Sequence, residues 1–291
     1  MTRPGAAPPL QAALNGTRGP GESAAVPRDP AALAEAAAEA VAAGAHEVRL
    51  RPRTPCGAGS LSPRVVGPAL AAVRRLVRVP VTVPADAWAE PDPERRVARI
   101  RSWETLPELA WVAWHEPGAE ETAAALLARG VAVEAGLRPG TPGPTRFARS
   151  PLAPRVRRIA VEVPPEEAAG APAACRRALV AGSSGAAGAT AGGEAGPEGA
   201  GRDLAAWVLP LVTGPSGAGA GGAPPGRARA WGDGVPVTVY GTGAAAWPVV
   251  GAARRLGLRG RIGLEDTLLL PDGTRARSTA EQVRAALSGP V

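Results

Sequence analysis

Short apolar runs alternate along this chain with stretches whose apolar residues recur at helical spacing. Leu10 to Leu14 predicts a first strand. Asp29-Pro30 then starts a helix with a capping side chain and a proline suited to the first turn, and Gly44 ends it. Glu47 to Arg51 reads as a second strand, and Ser62-Pro63 opens a helix running to about Leu76. Further strands are predicted at Val79 to Val83, Leu109 to Trp114, Val131 to Ala135, Ile159 to Val163, Val235 to Tyr240 and Arg261 to Leu264. Helices are predicted over Pro93 to Trp103 and from about Ala119 to Arg129. Ser278 and Glu281, three apart, predict a capping box on the last helix.

Eight β-then-α units in 291 residues predict a parallel closed (β/α)8 TIM barrel, formed as a single domain over residues 1–291. The alternative is an open doubly wound sheet. Against it stands the lack of a Gly-x-Gly-x-x-Gly turn after the first strand. Residues 182–201 and 214–226 are almost entirely Gly, Ala, Ser and Pro. They cannot bury enough apolar surface to offset chain entropy, so both are expected to be disordered insertions. A helix over Asp203 to Val212 is expected between them.

Apolar residues make up 45% of the chain, but aromatics only 3%, so Val, Leu, Ile and Ala must build the core. The net charge of +7 raises a nucleic-acid partner as a possibility. The arginines are interleaved with acids, however, and no basic block is paired with aromatics for stacking on bases, so no nucleic-acid partner is expected. The chain has no lysine, which excludes Schiff-base chemistry. Cys56 and Cys175 lie far apart without motif spacing, which excludes a thiol zinc site and argues against a structural disulfide. No apolar run reaches membrane-spanning length and no signal pattern opens the chain, so a cytoplasmic protein without membrane contact is expected.

In such a barrel, chemistry sits where the strands end. The strand ends carry Asn15 and Arg18, Arg51 and Arg53, Asp86, His115 and Glu116, Glu134, Glu162, Thr242, then Glu265 and Asp266. One reading is a ring of rim ion pairs worth little. Adjacent carboxylates at the mouth of a buried strand argue for more, since something must offset their desolvation. Arg49, Arg51 and Arg53 alternate along one strand and so share a face, either as an anion site or as snorkelling side chains. His46 follows a helix end, where a cation-capable group suits the dipole. His115, in a strand-to-helix turn, reads first as a capping or packing residue.

Several segments together resemble the β-keto acid cleavage enzymes, the family of the 3-keto-5-aminohexanoate cleavage protein. They are Ala13-Leu14-Asn15-Gly16-Thr17-Arg18 with Val26-Pro27, Trp114-His115-Glu116-Pro117-Gly118-Ala119, Val133-Glu134-Ala135-Gly136, and Trp247-Pro248. The most specific is Arg261-Ile262-Gly263-Leu264-Glu265-Asp266-Thr267 with Leu270-Pro271-Asp272-Gly273. The resemblance implies a TIM barrel with zinc at its rim and a homo-oligomer, a tetramer. It implies a Claisen-type acyl exchange, in which a β-keto acid and acetyl-CoA give acetoacetate and a new CoA thioester. By the same resemblance, Glu265 is a metal ligand and Arg261, Asp266 and Glu134 are catalytic; Arg18, Arg51 and Arg53 are the candidate substrate-binding residues.

The family's His-x-His-x-Arg strand reads Arg49-Leu50-Arg51-Pro52-Arg53 here, so both zinc-binding positions are arginine. A guanidinium has no lone pair to give. At ~5 Å and an effective dielectric of ~20, each added cation repels a dication by about 6–7 kcal/mol. The family's Ser/Thr-rich loop after strand three reads Pro84-Ala85-Asp86-Ala87-Trp88, and its Ser/Thr-x-Asn pair on strand four reads Trp111-Val112-Ala113. Three readings stay open: an active enzyme, metal-dependent or not, with an altered pocket and a compensating site from His115, Glu116 and Glu265; a metal-free binding or regulatory relative with Arg49 and Arg51 paired to Glu265 and Asp266; and another barrel activity that clamps an anionic substrate with arginines.

Overall fold

A computed structural model describes residues 8–163 and 235–288. Eight parallel strands close into a barrel in sequence order. They are β1 (Leu10–Ala13), β2 (Glu47–Arg49), β3 (Val81–Pro84), β4 (Leu109–Ala113), β5 (Ala132–Leu137), β6 (Arg158–Val163), β7 (Val237–Gly241) and β8 (Arg259–Ile262). The helices are α1 (Pro30–Ala42), α2 (Pro63–Leu76), α3 (Pro93–Arg101), α4 (Ala119–Ala128), α5 (Gly143–Arg149), α6 (Ala246–Arg255) and α7 (Thr279–Ser288). The TIM barrel expected from the sequence is what forms. The low-complexity segments 182–201 and 214–226, the helix expected between them and Cys175 all lie outside the described residues. No helix among the described residues is long and apolar enough to cross a membrane.

Local chemistry sets the helix starts. Asp29 accepts hydrogen bonds from the Ala31 and Ala32 amides, and Asp92 does the same for Glu94 and Arg95, so each satisfies two of the donors a helix N-terminus leaves free. At α7 the capping box closes on one side only. Ser278 Oγ accepts from the Glu281 amide at 3.2 Å, but the Glu281 carboxylate turns back to the Arg277 amide at 2.7 Å. His46 also departs from expectation. Its Nδ1 accepts from the Leu10 amide at 3.4 Å, which ties the ring to β1 rather than to the helix end.

Two environments share each strand. The outward faces, with Val48, Val83, Val112, Val133, Val161 and Val239, pack with Leu33, Leu70, Ile100, Leu126, Val249 and Val283 of the helices into one apolar layer. The inward faces are polar. Their side-chain contacts group them in tiers. Gln11, Glu47, Thr82, Glu134, Arg158, Thr238 and Arg259 form the floor. Arg49, Trp111, Ala160, Tyr240 and Arg261 form the middle. Arg51, Asp86, Glu162, Glu265 and Asp266 lie at the C-terminal mouth.

The floor is an ion-pair network. Arg158 bonds Glu134 at 2.7 Å and Glu47 at 2.5 Å, and Arg259 also reaches Glu47. This explains where strand prediction erred. Apolar runs suggested starts at Ile159 and Arg261, whereas β6 and β8 begin at Arg158 and Arg259, whose charges are used inside the barrel.

Candidate functional site

The mouth is organised around Glu265, which β8 delivers through a tight passage. After Ile262 the chain runs so close to β1 that a Cβ on Gly263 would sit 1.9 Å from the Ala13 carbonyl oxygen. Gly16, at φ +54°, lies against the Glu265 side chain from the opposite loop. Arg18 Nε donates to the Leu264 carbonyl at 3.2 Å, which ties the two loops together. Because the Gly263 clash is with backbone, no side-chain rotation relieves it. Gly263→Ala is therefore expected to cost at least about 3 kcal/mol, the upper end of ordinary overpacking. Urea unfolding checks this, and a variant within experimental error of the parent would show that the loop has slack.

The Glu265 carboxylate is held by three arginines. Arg49 Nε donates to both of its oxygens, at 3.1 and 3.2 Å. Arg51 Nε stands 3.8 Å and Arg261 4.0 Å from Oε1. Arg51 directs its terminal nitrogen to Asp86 at 2.7 Å. Asp266 is taken by Arg261, whose Nη2 lies 2.5 Å from Oδ1 and whose Nε bonds both oxygens. The pairing of Arg49 with Glu265 expected for a metal-free relative is present. The expected pairing of Asp266 with Arg49 or Arg51 is corrected, because Arg261, on the strand that leads into the Asp266 loop, takes it at 2.5 Å.

Aromatic faces fix the guanidinium planes. Arg49 lies over Trp111 at 4.6 Å, Arg261 over Tyr240 at 3.4 Å, and Arg51 and Arg53 over Trp88 at 5.3 and 5.2 Å. Trp111, Tyr240 and Trp88 were not among the candidates drawn from the sequence. The usable signal was strand parity, since Trp111 and Tyr240 fall on the inward face of β4 and β7.

The other candidates are spread out. Asn15 braces the mouth by exchanging hydrogen bonds with the Arg51 backbone at 2.8 and 2.9 Å. Arg53 donates to the carbonyls of Gly16, Arg18 and Gly57. Glu162 pairs with Arg138 at 2.6 Å and accepts from the Tyr240 hydroxyl. Glu134 sits on the floor with Arg158, not beside Glu265. Glu116 is committed to the Ala87 amide and Arg96, so it does not join Glu265 in a compensating site. Burial pushes His115 below its ordinary value, with Arg138 adding to the effect.

The donor set does not fit zinc. Glu265 is spent on Arg49, the neighbouring nitrogens are guanidiniums without lone pairs, and no group of three or more His, Cys, Asp or Glu among the described residues is placed to hold a metal.

Burial alone would raise the Glu265 carboxyl, but Arg49, Arg261 and Arg51 overcome it and hold it down to about 2, against an ordinary 4.5. Burial instead pushes Asp266 up to about 6, with Arg261 pulling against it and Glu265 adding to it. The two carboxylates therefore act on stability with opposite signs. A depressed carboxylate stabilises above its unfolded value and loses that contribution as pH falls through its folded one. The stability gap between the parent and Glu265→Gln should thus be full above about pH 4.5 and close toward pH 2, as followed by denaturant unfolding across that range. A pH-independent gap would show that the gap does not arise from charge.

Comparison with solved structures gives ObcA in three states. Its ternary complex with C4-CoA adduct and oxalate aligns at 16% identity and a TM-score of 0.61, covering 90% of this chain and 63% of that one. The apo structure aligns at 17% identity and 0.58, covering 90% and 61%. The binary complex with oxaloacetate aligns at 16% identity and 0.54, covering 90% and 63%. These likenesses are of fold, and the chain spans less than two thirds of the length of the ObcA chains. No curated protein matches the chain. Residues 9–131 and 223–288, more than half of the sequence, match the family described as beta-keto acid cleavage enzyme. The match takes in the arginine strand β2 and the Arg261–Asp266 segment that closes the barrel mouth, and the chain belongs to the β-keto acid cleavage enzyme family.

Proposed function

We propose that this chain is a metal-free member of its family that binds a β-keto acid at the barrel mouth and serves as a binding or regulatory protein. One observation carries this reading: Arg49 Nε lies 3.1 and 3.2 Å from the two oxygens of the carboxylate that would otherwise bind zinc. The two guanidiniums of Arg49 and Arg51 together carry the charge of one divalent ion. They can neutralise the acids of the mouth, but they cannot accept a ketone oxygen into an open coordination position. The polar anchors of the family's substrate loop are also replaced, by Ala85, Ala87 and Trp88 after β3 and by Trp111 and Ala113 on β4.

A second reading keeps the acyl exchange between a β-keto acid and acetyl-CoA, giving acetoacetate and an acyl-CoA. The intact Arg261–Asp266 pair at 2.5 Å favours it, since a carboxylate held by a guanidinium beside the mouth could move a proton at a keto acid's α-carbon. Purified protein incubated with acetyl-CoA and a panel of β-keto acids, with zinc supplied, separates the two. No acetoacetate and no stoichiometric zinc are expected. Acetoacetate formation that is lost in Asp266→Asn would establish the second reading. The homo-oligomer that the family resemblance implies belongs to both readings, and sedimentation measures it.

A further inference from the structure

Buried polar atoms without partners differ in kind between the tiers of the barrel. On the floor the set is mixed. Gln11 Oε1 and Glu134 Oε2 are acceptors, Arg158 Nη2 and Arg259 Nε are donors, and Thr238 Oγ1 can be either. Water, which both donates and accepts, completes such a set. Above the floor the set changes. Arg49 Nη1, Arg51 Nε (3.8 Å from Glu265, beyond hydrogen-bond reach), Arg53 Nε and Trp111 Nε1 are all donors, and only His115 Nδ1, beyond the end of β4, can be either. Each of the four donors belongs to a side chain more than nine-tenths buried, with Arg49 only 1% exposed and the other three 7%.

Charge accounting points the same way. Glu265 answers Arg49, Asp86 answers Arg51, and Asp266 answers Arg261. Arg53 donates its hydrogen bonds only to carbonyl oxygens and stacks on Trp88, and among the described residues no carboxylate lies within ion-pair distance of it. The arginine wall therefore holds one cation more than its acids balance, in a setting where a buried charge is costly unless paired. Unlike the floor, this set calls for a negatively charged acceptor.

We propose that the donors left by Arg49, Arg51 and Trp111 bind a small carboxylate anion directly, with Arg53 supplying the surplus positive charge. On the metal-free reading above, on which this rests, that anion is the carboxylate of the β-keto acid. The aromatic faces of Trp111 and Trp88 hold the guanidiniums flat, which suits a planar acceptor. The keto group is then recognised second, by whatever reach remains from the carboxylate.

The test is calorimetric titration of the full chain, with a chelator present, using acetoacetate and methyl acetoacetate as probes. Acetoacetate should bind one to one, and the uncharged ester about a hundredfold more weakly, as expected for two lost charge-assisted hydrogen bonds. Trp111→Phe, which keeps a ring under Arg49 but removes the Nε1 donor, should weaken acetoacetate binding about tenfold without abolishing it. Ester binding as tight as that of the acid would overturn the assignment. That comparison uses the parent protein alone, so it does not depend on any variant folding. Equal affinity of parent and Trp111→Phe would remove Trp111 as a donor and overturn the three-donor site. Stoichiometric zinc in the purified chain would instead overturn the metal-free reading, whereas a zinc-free chain that does not discriminate acid from ester defeats this inference alone.

Discussion

Replacing Glu265 by alanine should destabilise the protein by about 3–5 kcal/mol, the range for removing one partner of a buried ion pair. The acid is the shared partner of three guanidiniums, and its loss leaves Arg49 without a counter-charge and facing Arg51 and Arg261. Asp86 and Asp266 cannot take up the slack, because each is already bonded to its own arginine. Denaturant unfolding with an unchanged m-value reads the loss as stability. Glu265→Leu combined with Arg49→Met should recover most of it, since a buried pair replaced by apolar residues of similar volume is often neutral. A loss under about 1 kcal/mol would place the pair with ordinary surface ion pairs, and the metal-free centre would lose its energetic basis.

The second large effect is a gain. Arg49→His with Arg51→His should give a chain that takes up a stoichiometric zinc ion, which the parent is expected not to do. The double variant frees the Glu265 carboxylate and places two imidazoles at alternate positions of one strand, giving two nitrogens and one oxygen with a coordination position left open. The exchange conserves charge, because two guanidiniums leave as one dication enters. Without metal the variant should be less stable than its parent, since Asp86 loses Arg51. Added zinc should raise its melting temperature with concentration, through a stabilisation of about 4 kcal/mol at a thousandfold excess over the dissociation constant. The parent's melting temperature should not move. If the double variant binds no zinc by elemental analysis, the loss of metal extends beyond the two substituted positions.

The barrel was legible because its outward faces obey hydrocarbon rules. Val48 and Leu50 alternate with Arg49 and Arg51, so the apolar parity marks the helix-facing side and the arginines fall inside. The arginine substitutions at the metal positions were legible from the motif that frames them, and so was the Arg49–Glu265 pair. What sequence could not supply was the allocation of partners. Asp266 and Glu265 are neighbours in the chain, yet one belongs to Arg261 and the other chiefly to Arg49, a choice settled by the Gly263 passage and the reach of each side chain. Glu134 reads as a strand-end acid until barrel stagger sets it level with Arg158 on the floor. Trp111 and Tyr240 fall inside predicted strands, and only the inward parity of those strands makes them platforms for cations.

A barrel whose lumen is lined with guanidiniums and carboxylates exposes less hydrocarbon on melting than one filled with branched aliphatics. Polar exposure lowers the heat capacity and apolar exposure raises it, so the increment per residue should fall below the usual ~12–15 cal/mol/K. The stability curve of such a molecule is broad and shallow. The salt network under Arg158 thus governs how gently folding strength declines on either side of its optimum temperature, a property that belongs to the floor of the barrel and is independent of whatever its mouth binds.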